Sequence, residues 1–222
     1  MVSTPQKTGT VANAGDLAAP ARELPVSKRG AATRAALITA ARTIFERDGF
    51  LDARIGDIAG EAGVANGSFY TYFVDKEDIF LALMEQVQEE MLHPEHPPPG
   101  DDLPLVEKLE ASNRAYLESY RQNAKLMGVL EQVSMINDDF RDHRRARMLA
   151  FTQRNAKLIK RLQEEGLADD TLEPLVAAFA LGGMVSRLAF QAFVLEEPMP
   201  FEQIVQTVTQ LWINGLQIPA DA

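Results

Sequence analysis

The chain has 222 residues, with 22 Lys and Arg against 32 Asp and Glu, for a formal net charge of −10. That length holds one large domain or two small ones, and either can bury a core. The absence of cysteine excludes a disulfide scaffold, a thiolate zinc site and a cysteine nucleophile.

An acidic total argues against a phosphate-bearing partner only if the charge is spread evenly. Residues 1–76 carry 9 basic and 8 acidic side chains, a net of +1, with a local cluster at Lys28, Arg29 and Arg34. Residues 77–222 carry 13 basic and 24 acidic side chains, a net of −11. Charge asymmetry of this kind often separates parts with different partners, although a chance fluctuation on a solvated surface reads the same.

Residues 1–30 are rich in Ala, Thr, Ser, Pro and Gly and lack an apolar signal segment, so the expectation there is a disordered tail. Leu37, Ile38, Ala41, Ile44 and Phe45 then recur at helical spacing up to Gly49. Ile55, Ile58, Ala59 and Ala62 make a short second helix stopped by Gly63, and Phe69, Tyr70 and Phe73 a third. Ile79, Phe80, Leu83 and Val87 stripe a fourth, ending before Pro94. The segment HPEHPPPGDD at 93–102 cannot be helical. Further helices are predicted from Leu105 to about Tyr120, from Leu126 to Ile136, from about Asp138 to Glu165 with Gly166 as its stop, and over Glu202–Leu216. Leu175–Leu195 is 21 residues with only Ser186, Arg187 and Gln191 polar. It is long enough to span a bilayer, but Arg187 near its centre and Gly182-Gly183 favour a helix buried in protein. No run alternates with period two, so the fold class is all-α.

Asp52 to Phe80 is the informative stretch. Ile55–Glu61 and Asn66–Tyr72, broken by Ala62-Gly63-Val64, have helix-turn-helix spacing. Gly63 permits the positive φ of the turn, and Ile58, Ala59, Val64 and Phe69 are sized to lock the two helices. The second helix would offer Asn66, Ser68, Thr71 and Tyr72. Asn can pair with an adenine edge, and hydroxyls and Lys76 suit bases or phosphates. Spacing alone leaves a plain αα corner equally open.

The run IA..AGVANGSFYTYFVDKE over 58–77, with an opening helix that ends in Gly49-Phe50, resembles the DNA-binding signature of TetR-type transcriptional regulators. The resemblance is specific over about 31–83. It implies an all-helical homodimer with a three-helix DNA-binding domain at 31–76 and a larger ligand-binding and dimerisation domain at 77–222. It implies a repressor released from a double-stranded DNA operator by a small-molecule effector, working in the cytoplasm. It places Asn66, Ser68 and Phe69 on the recognition helix and Tyr70, Tyr72 and Lys76 on the DNA backbone. Two positions depart from the family pattern. Arg54 replaces a capping Ser or Thr, where Asp52 could cap instead and Arg54 could add a phosphate contact. Ala65 replaces a hydroxyl at the start of the recognition helix. Lys28 and Arg29 precede the first helix as an arm for the backbone or minor groove, or as solvated tail.

The resemblance also implies that Leu175–Leu195 and the last helix form the dimer interface, with Gly182, Val185, Val208 and Trp212 as candidates. A pocket is expected among the middle helices, lined by Met84, Tyr116, Tyr120, Met127, Met135, Phe151, Phe179 and Met184, which suit an adaptable apolar cavity as well as they suit plain core. Arg187, four residues before Gln191, is the polar candidate, able to hold a ligand anion or an acid such as Glu131. The effector expected is apolar or amphipathic. Arg141, Arg144, Arg145 and Arg147 read as a solvated helix face. His93 and His96 have only Glu95 nearby, so no metal and no cofactor are expected. No Ser-His-Asp set or phosphate loop is present, so an enzyme is not expected. A helical adaptor that does not bind DNA is the other alternative, and neither partner nor membrane is otherwise called for.

Overall fold

The structure, a computed structural model, describes residues 27–92 and 103–219. The expected tail up to residue 26 and the His93–His96 pair lie outside those residues. Among the described residues every regular element is helical: α1 Lys28–Asp52, α2 Ile55–Glu61, α3 Asn66–Tyr72, α4 Lys76–Leu92, α5 Leu105–Gln122, α6 Ala124–Ile136, α7 Asp138–Glu164, α8 Pro174–Ala189 and α9 Phe201–Leu216, with a π-helical turn Phe190–Val194 after α8.

Local signals set most of these ends. The first helix begins at Lys28, earlier than expected, because Ser27 Oγ accepts from the Gly30 amide at 3.1 Å. Lys28 and Arg29 are therefore first-turn helix residues and not tail. Gly49 breaks α1 with φ 72°, leaving one further turn through Asp52. Asp75 starts α4: its Oδ1 accepts from the Asp78 amide at 2.8 Å, while Asp78 Oδ2 accepts from the Val74 amide at 2.9 Å. Asn137 caps α7 by accepting from the amides of Asp139 and Phe140, and Glu173 caps α8 by accepting from Val176 at 2.7 Å. Neither α2 nor α3 has a side-chain cap at Arg54 or Ala65, and Asp52 does not stand in.

Two apolar cores result. The first joins α1, α2, α3 and α4 to α6 and to Phe140 of α7. Its centre is aromatic: Phe45 meets Phe80 edge-on at 5.0 Å and Phe50 face-on at 5.7 Å, and Phe140 lies 5.4 Å from Phe80 and 5.5 Å from Phe50. Each such pair adds about 0.5–1.5 kcal/mol beyond the area it buries. The core thus crosses the expected division at 76/77 without a seam. Arg42 of α1 also donates from Nη2 to Oδ1 of the buried Asn123 at the α5–α6 corner. Met84, expected to line a pocket, is fully buried in this first core.

The second core joins α5, α7, α8 and α9. The strongest stripe of α9, Ile204, Val205, Val208, Trp212 and Leu216, is buried there. Three candidates for a dimer interface, Val185, Val208 and Trp212, are buried within the subunit, so they cannot face a second one. Hydrophobicity alone favours the inward face, because a chain buries its most apolar stripe in its own core first. Gly182 is half-buried, and a Cβ there would lie 3.9 Å from Asn155 Nδ2 of α7, so it faces α7. Pro174–Val194 is long and apolar enough to cross a membrane by length and composition. One side of it, Ala178, Val185 and Ala189, is in the second core. The outer side exposes Val176 (65 %) and Phe179 (39 %) with Ala180 and Gly183.

Candidate nucleic-acid interface

The turn between α2 and α3 is built by the backbone. Gly63, at φ 68°, donates to Gly60 O, and Val64 donates to Ala59 O, both at 3.0 Å. Ile58, Ala59, Phe69 and Phe73 are buried behind it and lock α2, α3 and α4 together. This corrects one expectation: Phe69 has no exposed surface, so it holds the recognition helix from behind and cannot touch a base. The i+4 spacing that put Phe69 beside Phe73 in the sequence carries that signal.

The opposite face of α3 is polar and open. Asn66 and Thr71 are exposed, Ser68 and Tyr72 half-buried, and Tyr70 is 47 % exposed with its ring edge-on to Phe69 at 5.4 Å. Arg54, at the start of α2, is exposed on the same side of the chain's first third. A groove of about 390 Å³ runs between α3 and the N-terminus of α1, lined by Ser27, Arg29, Gly30 and Thr33 on one wall and Ala65, Ser68, Thr71 and Tyr72 on the other. Sequence reasoning missed Ser27 and Thr33, whose only signal was their place one turn apart at the start of α1. Of the basic cluster, Lys28 and Arg29 are exposed, while the Arg34 guanidinium lies over the Phe73 ring at 5.0 Å. Lys76 is turned inward. Its Nζ donates to Leu51 O at 3.1 Å and to Ala53 O at 3.2 Å and sits 4.7 Å from the Phe50 ring centre.

In the second half, Tyr116 and Tyr120 of α5 gather with Phe151 of α7 and Phe193 of the π-helical turn, with ring centres 5.5–6.4 Å apart along the chain of contacts. Burial pushes the Tyr120 phenol up to about 12, with the Glu131 charge adding to the effect. Burial raises the Tyr116 phenol as well. Met127 packs against both cores and Met184 against the second. Glu131 is paired with Arg144 at 2.6 Å, not with Arg187, which is exposed with its guanidinium 5.3 Å from the Phe190 ring. Gln191 Oε1 is buried without a partner. Two other pocket candidates are displaced. Met135 is 77 % exposed at the end of α6, and Phe179 lies on the outer face of α8. Arg141, Arg144 and Arg145 are exposed as expected, but Arg147 carries a buried Nη2 that lacks a partner. Among the described residues no group of three or more His, Cys, Asp or Glu could hold a metal ion.

The family model described as bacterial regulatory proteins, tetR family, matches residues 37–83, and that of the C-terminal domain of the transcriptional regulator EthR matches residues 109–217. The HTH-type transcriptional regulator EthR of Mycolicibacterium smegmatis is 24 % identical over 187 residues, covering 82 % of this chain and 85 % of its own. The fatty acid metabolism regulator protein of Bacillus subtilis is 38 % identical over 50 residues, 22 % of this chain and 26 % of its own. Among solved structures, the fatty acid degradation regulator FadR from Bacillus halodurans superposes with a TM-score of 0.71 at 19 % identity, over 84 % of this chain and 97 % of that one. A regulator from Saccharomonospora viridis in complex with choline gives 0.69 at 20 %, over 82 % and 95 %. Those two structures speak for the fold, an N-terminal helix-turn-helix domain on a helical C-terminal domain. With two family models that together span well over half of its length, and with α2 and α3 set as a helix-turn-helix, the chain is a transcriptional regulator, not an enzyme, and belongs to the TetR family.

Proposed function

We propose that the protein is a cytoplasmic repressor that binds a pseudo-palindromic operator as a homodimer and leaves it on binding a small apolar or amphipathic effector. The observation that carries this reading is the solvent-facing polar side of α3 beside the basic N-terminus of α1, with Phe69 and Phe73 sealed behind it. In this reading Asn66 and Ser68 meet base edges, and Tyr70, Thr71, Tyr72 and Arg54 hold phosphates. Lys28 and Arg29 join them. Cations in a first helical turn cost about 0.3–1 kcal/mol against the helix dipole, and a phosphate there reverses the sign.

The partner subunit covers the outer side of α8 and α9. Val176, Phe179, Ala180 and Gly183 share one face of α8 by their three- and four-residue spacing, and Leu211 and Gly215 share one face of α9. Gly215 lies where the two helices cross closely, since a Cβ there would stand 3.4 Å from Leu181 Cδ2. The two recognition helices then meet major grooves about 34 Å apart. The division into a DNA-reading part at 31–76 and an effector and dimer part at 77–222 follows the same reading, with α4 shared between them. The effector site is assigned to the Tyr116, Tyr120, Phe151 and Phe193 cluster with Met127 and Met184. The fatty-acid names of two relatives favour an acyl or aromatic acid there.

A fluorescence anisotropy titration against the DNA upstream of the protein's own coding sequence tests the reading. The expected result is a salt-sensitive, sequence-selective shift at nanomolar to micromolar protein. Asn66→Ala relaxes preference at one base position, whereas Tyr70→Ala weakens all duplexes alike. The absence of any selective shift overturns the reading and leaves a helical module without DNA activity.

A further inference from the structure

We infer that Lys76 is a positioning residue. It straps the start of α4 to the α1–α2 connection and so fixes the recognition helix, and its charge is not spent on DNA. This rests on the dimeric operator-binding reading above. A cation at the first position of a helix is opposed by the helix dipole, and α4 does not need it there. Asp75 and Asp78 already start the helix, and Glu77 and Asp78 supply the favourable charge of its first turn. The Lys76 ammonium instead crosses to the other side. It gives two of its three donors to the carbonyls of Leu51 and Ala53 and rests on the Phe50 ring.

Those carbonyls lie just beyond the left-handed break at Gly49, where the helical ladder of α1 has been interrupted. Ala53 is also the residue immediately before Arg54, the N-terminal flank of α2. The strap therefore ends one residue from the helix-turn-helix unit. That unit has no side-chain cap on either of its helices, so its placement depends on packing and on this tie. The floor of the strap is stiff, because Phe50 is stacked on Phe45 and meets Phe140 edge-on. The exposed cations Lys28, Arg29 and Arg54 are left to meet phosphate, while Lys76 is half-buried.

The two roles for Lys76 predict different salt behaviour. A phosphate contact contributes about 0.9 to the slope of log K against log salt, and a strap contributes nothing. The full-length native protein first enriches a duplex from a randomised pool, and affinities are then read across a salt series for native and Lys76→Met proteins. The same duplex with one base pair inserted at its centre is measured alongside. The strap predicts binding on the order of ten-fold weaker for Lys76→Met. It also predicts an unchanged slope and a smaller penalty for the insertion than the native protein shows, because a loosened head tolerates a wrong half-site spacing. A slope reduced by about 0.9, or an insertion penalty equal to the native one, overturns the strap. If Lys76→Met does not fold, Lys76→Gln carries the same readings, since it also removes the charge. A native protein that enriches no two-fold duplex overturns the operator reading, and the strap falls with it. A native protein that does, paired with a variant that loses slope, overturns the strap alone.

Discussion

The two cores use the same kinds of residue and close differently. In α1, α2 and α3 the described side chains leave no buried nitrogen or oxygen without a partner. From α4 onward there are five: Gln88 Oε1, His143 Nε2, Arg147 Nη2, Gln191 Oε1 and Trp212 Nε1. Each such atom costs about 1–3 kcal/mol unless water or a ligand reaches it. The reading head is thus finished by its own chain, whereas the effector half keeps polar groups that something else can satisfy. A part that must present a fixed surface to DNA benefits from closure. A part that must change state on binding needs interactions still to be made.

The sharpest way to break this comparison is at Phe69. Its replacement by Ala empties a fully buried site behind the recognition helix and should cost about 3–5 kcal/mol, read from the denaturant midpoint, with loss of DNA binding. A cost under about 1 kcal/mol would mean that the head is not tightly closed. Next comes Phe179→Glu, which puts a charge on the outer face of α8. Sedimentation should show monomers, and operator affinity should fall on the order of a hundred-fold while the melting temperature hardly moves. An unchanged dimer would place the interface elsewhere. A smaller effect, of opposite sign, is expected at Gln191. Leu removes an unpartnered buried acceptor at similar volume and should stabilise the effector half by about 1 kcal/mol in chemical unfolding. A loss of that size instead would show that water or a bound molecule already satisfies the group.

The smallest effect concerns pH. Burial depresses His143 below its ordinary value, with Glu85 opposing and Arg147 adding to the shift. The folded state therefore binds this proton less readily than the unfolded chain does, and stability falls as pH drops below the unfolded value of about 6.5. His143→Gln should flatten part of that decline between pH 7 and 5. An identical pH profile would show that the ring is better solvated than its burial implies.

The sequence carried the head further than the rest. Gly63, Gly49 and the spacing of Ile58, Ala59 and Phe69 encode local geometry within a few residues, and the bounds of α2 and α3 follow from them. Burial of Phe69 was legible in the same spacing. The effector half depends on which face of each helix turns inward, and a residue type does not say that. Met84 and Met135 are alike in the sequence, yet one is sealed in the first core and the other stands at the end of α6. Val208 and Trp212 read as a sticky stripe, which α9 spends on its own subunit and leaves Leu211 outside. Lys76 looked like a free cation because its two carbonyl partners lie 23 and 25 residues earlier in the chain.

The aromatic centre shared by α1, α4 and α7 has a consequence for engineering and for descent. A hybrid repressor made by splicing this head onto another regulator at residue 76 would sever Phe50 and Phe80 from Phe140, and Arg42 from Asn123. Such a hybrid works only if the recipient supplies a matching ring and amide on its own sixth and seventh helices. Heads and effector halves in this lineage should therefore have been inherited together, and a new operator is reached more readily by changing the outer face of α3 than by exchanging the domain that carries it.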